Sequence, residues 1–307
     1  MSRRLAALSE RLHPVSETAS LDAQLLLAQV LGVNRAWVLA HPEFDLNSEQ
    51  LATLESLAVR LESGEPLPYL LGHWEFYGLD FIVSPAVLIP RPETELLVEQ
   101  ALQWLRARPR SGPEGENPSQ VIDVGCGSGC VAVALATNTP GLKVTAVDLS
   151  PAAIEIALQN VARHGLSERV SVWQADLLEP GPVSHPAGAA EQLPVFPTQA
   201  GEQPAMFDLI CANLPYIRSE HLAGLSVARW EPRLALDGGP DGLALIRRLL
   251  QQATGRLAPG GMLLMEIESS QGVEASQLAR QAFPHTRVEV LMDLSGLDRL
   301  VRVEKSS

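Results

Sequence analysis

The sequence is poor in cysteine, and the few cysteines it has do not form a recognisable framework. Only Cys126, Cys130 and Cys211 occur in 307 residues, too few for a disulfide-stabilised protein of this size. Cys126 and Cys130 are four positions apart, a spacing that is compatible with a metal or redox site. No CxxC pair or Cys/His cluster has structural-zinc spacing, however. We therefore interpret both as small residues packed beside a glycine loop, and expect no metal.

Positive charge is also scarce. The chain has 23 Lys and Arg against 36 Asp and Glu, a formal net charge of −13, and no run rich in basic residues. Because nucleic-acid binders usually displace counterions with a basic footprint, we expect no stable nucleic-acid binding. The overall charge does not exclude a locally basic groove. No apolar run reaches the roughly 18 residues of a membrane span, and no signal peptide is recognisable. We expect a cytoplasmic protein with no membrane partner.

The first part of the chain has a helical pattern. Leucines recur at helical spacing as far as about residue 63, which predicts a small helical bundle. Asn47 and Gln50 have the spacing of a capping box. Aromatic and β-branched residues around Gly78 predict a β-hairpin within residues 74–89, and an apolar-periodic helix follows as far as about Ala107. Residues 109–119 have the composition of a linker.

Beyond the linker, strands alternate with helices, which predicts a parallel α/β sheet. The clearest helix covers residues 151–164, with Ser150 as N-cap and Gly165 as its stop. Residues 179–205 are rich in Pro, Gly and Ala without periodicity, and we interpret them as a long insertion. We expect a helical domain (1–73), a hairpin, helix and linker (74–119) and a doubly wound α/β domain (120–307). Its seven strands are predicted at 121–124, 144–148, 170–174, 207–212, 262–266, 288–292 and 300–303.

A glycine-rich loop joins the first of these strands to a helix. Gly125, Gly127 and Gly129 alternate with Cys126 and Ser128, which lets the backbone approach a ligand closely, and the helix N-terminus supplies N–H groups. Asp148 ends the next strand, where a carboxylate can accept both hydroxyls of a ribose. A tight turn that packs helix on sheet is the competing interpretation. With Asp148 at the strand end, the pattern favours an adenosine-containing ligand.

The details of the loop indicate which ligand. Position 130 is Cys where a dinucleotide fingerprint has its third glycine. The pattern Asp-x-Gly-x-Gly-x-Gly instead resembles that of seven-stranded methyltransferases that use S-adenosyl-L-methionine. By this resemblance, Asp148 of this chain would hold the ribose, and the pair Asp176 and Leu177 after the third strand would flank the adenine. Asp176 is equally compatible with an ordinary turn residue.

A second motif follows the fourth strand. Asn213, Leu214, Pro215 and Tyr216 match the (Asn/Asp)-x-Pro-(Tyr/Phe) tetrad of methyltransferases that act on planar nitrogens. An amide or aromatic amine nitrogen is a poor nucleophile because its lone pair is delocalised. The Asn213 side-chain oxygen and the Leu214 carbonyl can accept its two N–H groups and raise its electron density in the transition state. Pro215 would hold that carbonyl rigidly, and Tyr216 would offer a ring face.

Taken over nearly its whole length, the chain resembles the release factor glutamine methyltransferase family (HemK-type). The resemblance is carried by residues 68–72, 76–78, 88–95, the glycine loop, 213–216 and 231–239, and Ile-Pro-Arg-Pro-Glu-Thr-Glu at 89–95 is its most specific part. It implies methyl transfer to the side-chain amide of the glutamine in the Gly-Gly-Gln motif of class I peptide-chain release factors. It also implies that the helical domain and the hairpin engage that protein. We assign no catalytic role to residues 91–95 or 231–233. The residues predicted to bind cofactor are Gly125, Cys126, Gly127, Ser128, Gly129, Asp148, Asp176, Leu177 and Asn213; those predicted to bind substrate and catalyse are Asn213, Leu214, Pro215 and Tyr216.

One departure keeps an alternative open. The family tetrad is usually Asn-Pro-Pro-Tyr, whereas position 214 here is Leu, as in ribosomal RNA adenine dimethyltransferases. An RNA or DNA adenine amino-group methyltransferase is therefore the alternative. The acidic composition and the position of the glycine loop after 120 residues disfavour it. A nicotinamide oxidoreductase and a non-catalytic cofactor-binding module are two further classes to be separated by experiment.

Overall fold

The computed structural model of the protein describes residues 1–108, 119–180 and 206–306. The predicted linker, apart from Ser119, and the predicted insertion, apart from Glu179 and Pro180, lie outside the described residues. Contacts divide the chain into two compact units, Met1–Trp74 and Glu75–Ser307.

The unit Met1–Trp74 is a helical bundle. Its buried core is mainly leucine and alanine, which follows from the apolar spacing in the sequence. Asn47 accepts a hydrogen bond from the Gln50 N–H and the Gln50 side chain accepts one from the Asn47 N–H, so the predicted capping box is confirmed. The helices are α1 (Ser2–Leu12), α2 (Ala19–Leu31), α3 (Arg35–Ala40), α4 (Ser48–Glu62) and α5 (Leu67–Leu71).

Asn47→Ala is expected to destabilise this bundle by about 1 kcal/mol, the usual cost of removing a helix N-cap. The substitution leaves the Gln50 N–H, 2.9 Å from Asn47 Oδ1, without its acceptor. Urea denaturation followed by helical circular dichroism would measure the loss. Asn47→Asp is the control, since it keeps the acceptor oxygen and adds a charge that suits a helix N-terminus. Equal stability of both variants and the wild type would contradict the assigned cap.

The predicted hairpin is present but shorter than the sequence suggested. Strands β1 (His73–Phe76) and β2 (Leu79–Ile82) form a two-stranded sheet. Tyr77 and Gly78 between them have φ of 53° and 73°, and positive φ at both central residues is typical of a type I′ hairpin turn. After β2, a 3-10 turn at Pro92–Thr94 leads into α6 (Glu95–Ala107).

The unit Glu75–Ser307 is built on a central sheet in which all seven predicted strands are present. In chain order its strands are β3 (Val121–Val124), β4 (Val144–Asp148), β5 (Val170–Asp176), β6 (Glu179–Pro180), β7 (Phe207–Ala212), β8 (Leu257–Glu266), β9 (Arg287–Met292) and β10 (Asp298–Glu304). Across the sheet their order is β6-β5-β4-β3-β7-β8-β10-β9. Strands β5, β4, β3, β7 and β8 run parallel, and β10 is antiparallel to β8 and β9. The eighth strand, β6, is a two-residue addition at the edge. The helices that follow α6 along the chain are α7 (Cys130–Asn138), α8 (Pro151–Arg163), α9 (Ala244–Ala253) and α10 (Gly272–Ala282).

Helices cover both faces of this sheet, so the doubly wound α/β architecture is confirmed. One buried cluster joins the sheet to α6, α7 and α8, and a second joins it to α9 and α10. Because both faces are covered, the central strands are mostly apolar. All four residues of β3 are buried, and the carboxyl group of Asp123 is buried with them. Within the described residues, no helix is both long enough and apolar enough to cross a membrane.

Candidate active site

A cleft opens at the carboxyl ends of the parallel strands, where ligand sites of such sheets are expected. It encloses about 1110 Å³ of empty space, including its open mouth. Most of the residues predicted to form the site line it, whereas Gly129 and Tyr216 do not. The predicted residues in the lining are Gly125, Cys126, Gly127, Ser128, Asp148, Asp176, Leu177, Asn213, Leu214 and Pro215.

The glycine loop is tied to β4 by its backbone. The N–H groups of Gly125 and Cys126 both donate to the Val147 carbonyl, at 2.8 and 2.9 Å. Gly127 has a φ of +54°, and a Cβ added to it would meet nothing within 4 Å, so the space above this residue is open. Gly129 differs, since an added Cβ would lie 3.3 Å from Ala157 Cβ on α8. The third glycine therefore allows α8 to pack closely and does not line the cleft.

Asp148 is held at the edge of the cleft by two backbone donors. Its Oδ2 accepts from the Gly127 N–H at 2.8 Å and its Oδ1 from the Ser150 N–H at 2.9 Å. Burial raises the pKa of Asp148, and these hydrogen bonds partly oppose the rise. A carboxylate offers about four lone-pair positions, so Asp148 keeps acceptor capacity toward the cleft.

A second carboxyl in the lining belongs to Asp123, the first residue of the Asp-x-Gly-x-Gly-x-Gly pattern, to which the sequence assigned no binding role. It is 2% exposed and accepts from the Ala132 N–H at 3.1 Å, which satisfies a donor in the first turn of α7. Burial, with a smaller contribution from Asp148, raises the pKa of Asp123 to about 7. The neighbouring Cys126 and Cys130 are buried free thiols, and burial raises the pKa of both. Among the described residues, no three His, Cys, Asp or Glu side chains cluster so as to hold a metal ion.

The pair predicted to flank an adenine, Asp176 and Leu177, lies at the end of β5 and lines the cleft. Asp176 ends β5 and pairs with Arg248 at 2.8 Å, and both side chains are about 40% exposed. Leu177 is buried with a φ of +59°. Leu177 therefore presents an apolar surface, whereas the carboxylate of Asp176 already has a surface partner.

Asn213, directly after β7, is fixed by a residue from a distant segment. Its Nδ2 donates to Thr94 Oγ1 at 2.9 Å, which directs the side-chain oxygen away from Thr94. Thr94 is 3% exposed and also lines the cleft. From its position before the helix that starts near Glu93, Thr94 could line the cleft or cap that helix. It does the former, while no side chain caps α6.

The rest of the tetrad is also firmly placed. Leu214 is 4% exposed, and its side chain packs against Gly125, where an added Cβ would lie 2.9 Å from Leu214 Cδ2. The Tyr216 carbonyl accepts from Gln271 Nε2 at 3.1 Å. Burial raises the pKa of the Tyr216 phenol to about 12, so this side chain is neutral at physiological pH.

Two motifs to which the sequence assigned no role meet beside the cleft. Arg91 forms an ion pair with Glu231, whose side chain is 1% exposed. Pro232, Leu234 and Ala235, which follow Glu231, join Arg91 in the lining. The pair therefore fixes one wall of the cleft.

The chain is similar to known proteins in both its N-terminal and its C-terminal part. Residues 5–72 match the family model described as PrmC N-terminal domain, and residues 121–190 match that described as Methyltransferase domain. A release factor glutamine methyltransferase from Geobacter sulfurreducens is 38% identical over 93% of this chain and 89% of its own. One from Bordetella pertussis is 41% identical over 91% of this chain and 93% of its own.

Among solved structures, a release-factor-specific protein-(glutamine-N5) methyltransferase from Alicyclobacillus acidocaldarius aligns with 74% of this chain and 100% of its own. The identity is 28% and the TM-score 0.40. Because that score is low, the family assignment rests on the two relatives.

Proposed function

The chain belongs to the release factor glutamine methyltransferase family, and we propose that it methylates the side-chain amide nitrogen of the glutamine in the Gly-Gly-Gln motif of class I peptide-chain release factors. The observation that carries this proposal is that relatives of that name match more than nine tenths of the chain. The match covers both the helical unit and the unit with the cleft. We also propose that the helical unit Met1–Trp74 helps recognise the release factor, which the match of residues 5–72 supports.

The lining of the cleft fits S-adenosyl-L-methionine, the methyl donor of this family. The backbone above Gly127 is open, Asp148 has acceptor capacity for a ribose diol, and Leu149 and Leu177 offer apolar surface for an adenine. When bound, this cofactor supplies a methyl group on a positively charged sulfur. Gly125, Gly127 and Asp148 would hold it, with Cys126, Ser128 and Leu177 as further wall residues.

The residues after β7 would bind and orient the acceptor amide. Thr94 holds the Asn213 amide with its oxygen free to face the substrate, and the Leu214 carbonyl supplies a second acceptor. Two acceptors on the two N–H bonds of a planar amide fix its plane and concentrate electron density on the nitrogen. Positioning is the main catalytic demand, since the proton can leave after transfer. Tyr216 does not line the cleft, so we propose that it acts by fixing the end of the tetrad.

The decisive experiment is methyl transfer from labelled S-adenosyl-L-methionine to a purified class I release factor. A factor with Gly-Gly-Gln changed to Gly-Gly-Ala and ribosomal RNA are the parallel substrates. Label on the intact factor alone would support the proposal. Label on RNA would favour the adenine methyltransferase alternative, and label on neither would overturn the proposed substrate.

Asp148→Asn is expected to weaken binding of S-adenosylhomocysteine by about 10- to 100-fold, since hydrogen bonds to a charged group contribute about 1.5–3 kcal/mol. Asp176→Asn is expected to have a much smaller effect, because that carboxylate is about 40% exposed and pairs with Arg248. Isothermal titration calorimetry would measure both. Equal losses in the two variants would mean that Asp176 contributes as much as Asp148, which would contradict the assignment of Asp148 as the main ribose contact.

A further inference from the structure

A buried carboxyl group without a settled role lies behind the tetrad. Glu266 is the last residue of β8, which pairs with β7, the strand that leads into Asn213. It is 1% exposed, and neither of its carboxylate oxygens makes a hydrogen bond of normal geometry to any described residue. Burying a carboxyl without full hydrogen bonding is unfavourable, so its presence at the carboxyl edge of the sheet calls for an explanation.

The groups that face Glu266 come from several elements. Burial is the largest effect on the pKa of Glu266 and raises it to about 7; the Thr94 hydroxyl, from the 3-10 turn before α6, and Arg299 on β10 and Arg91 lower it, and Glu93 raises it. The Cys130 thiol on α7 also lies within electrostatic reach. Tyr216 also lies within electrostatic reach. Thr94 stands out because it is the residue that accepts the Asn213 amide N–H.

From this arrangement we propose that Glu266 is a positioning residue that acts through Thr94 and sets the orientation of the Asn213 amide. The inference rests on the proposed function, in which the Asn213 oxygen binds the acceptor nitrogen. A hydroxyl has one proton and two lone pairs. In the proposed arrangement the Thr94 hydroxyl turns to donate a hydrogen bond to one of the unpartnered oxygens of the ionised Glu266 carboxylate. The Thr94 oxygen can then only accept from Asn213, so only the NH₂ end of the Asn213 amide can face it.

Without an ionised Glu266 this constraint is lost. A protonated carboxyl, or a glutamine, can donate to Thr94 as well as accept from it, so the Thr94 proton is free to turn toward Asn213. The Asn213 amide then populates the flipped orientation, which points its NH₂ group at the substrate amide. Two donors face each other in that state, and the acceptor nitrogen is no longer held.

The test compares Glu266→Gln, Thr94→Val and Thr94→Ser in methyl transfer to the release factor at saturating cofactor. We expect kcat to fall about 10- to 100-fold in Thr94→Val, in line with the cost of misplaced reacting groups, and to be largely retained in Thr94→Ser. Wild-type kcat should rise with pH through about 7 as Glu266 ionises, whereas Glu266→Gln should stay near the acidic limit at every pH. Binding of S-adenosylhomocysteine should be unchanged in all three variants.

Thr139→Val is the matched control, since Thr139 is also buried but follows the end of α7 that points away from the cleft. It should keep the wild-type kcat and pH profile. Wild-type kcat and pH dependence in Glu266→Gln would overturn the inference. So would equal losses in Thr94→Val and Thr94→Ser.

A readout that needs no substrate separates this inference from the proposed function. The Asn213 side-chain amide resonances, assigned by their loss in Asn213→Asp, should titrate with an apparent pKa near that of Glu266 and lose this titration in Glu266→Gln. If the wild type does not methylate release factor, the proposed function fails while these resonances still decide the role of Glu266. Asn213 amide resonances that shift neither with pH nor in Glu266→Gln would overturn the positioning role of Glu266 even in an active enzyme.

Discussion

Asn213→Ala is expected to lower kcat for release factor methylation by roughly 100- to 1000-fold, the usual cost of removing one preorganised polar contact to a transition state. Asn213 lines the cleft and is held by Thr94 at 2.9 Å, so its oxygen is placed before the substrate arrives. Alanine removes this acceptor and leaves the Leu214 carbonyl as the single partner of the amide. The affinity for S-adenosylhomocysteine should change little, since Gly127 and Asp148 lie on other segments of the cleft.

Steady-state kinetics together with calorimetric titration of S-adenosylhomocysteine would separate the two effects. A loss in kcat at constant cofactor affinity identifies an interaction made in the transition state. Asn138→Ala, at the exposed end of α7, is the matched control and should match the wild type in both measurements. Comparable losses of kcat and cofactor affinity in Asn213→Ala would show that Asn213 serves the cofactor instead of the acceptor amide.

The sequence predicted the elements that are defined by local pattern. The bounds of β3, β4 and β7 agree with the structure, because each is a short apolar run between turn residues. The helix predicted at 151–164 ends one residue earlier, with the Ser150 side chain accepting from the Ala153 N–H as a cap does. Gly165, with a φ of +67°, follows it as a stop.

Features that depend on tertiary contact were missed. β8 begins at Leu257, earlier than predicted, because Leu257 pairs with Phe207 of β7. The register then shifts, and pairing resumes at Met262, where the predicted apolar run begins. The two residues of β6 have no pattern of their own and are a strand only because they pair with β5.

The same limit applies to the site. The strand-end rule placed Gly125, Asp148 and Asn213 at one edge of the sheet, and all three line the cleft. The contact between Asn213 and Thr94 joins residues 119 positions apart, and no local signal in the sequence predicts it. Applied to β8, the strand-end rule would have singled out Glu266 as well.

Gly242→Ala is expected to destabilise the protein more than any other glycine-to-alanine change at the same backbone angle, and to abolish most of the activity. Gly242 has a φ of +75°, and an added Cβ would overlap the Tyr216 carbonyl oxygen and lie 2.6 Å from Gln271 Nε2. Gln271 Nε2 donates to the carbonyls of both Tyr216 and Gly242, at 3.1 and 3.2 Å. Alanine would therefore push apart the contact that holds the end of the tetrad.

Gly296→Ala separates this clash from backbone strain. Gly296 also has a φ of +75°, but an added Cβ would meet nothing within 4 Å. We expect Gly296→Ala to lower the free energy of unfolding by about 1–2 kcal/mol, because a residue with a Cβ is strained in the left-handed backbone conformation. Gly242→Ala should lower it by about 1–3 kcal/mol more, because its Cβ also overpacks the site. Thermal unfolding should show Gly242→Ala melting several degrees below Gly296→Ala, at roughly 2–4 °C per kcal/mol for a unit of this size.

Activity measured well below both melting temperatures shows what the contact does for the site. If the hydrogen bonds from Gln271 Nε2 to the Tyr216 and Gly242 carbonyls set the position of the tetrad, folded Gly242→Ala should lose kcat while it still binds S-adenosylhomocysteine. Gly296→Ala should keep both the wild-type kcat and the wild-type affinity. If folded Gly242→Ala were as active as Gly296→Ala, the tetrad would tolerate a shift of the Tyr216 carbonyl. The position of Asn213 would then depend on Thr94 alone, and the Thr94→Val variant should show the larger loss of kcat.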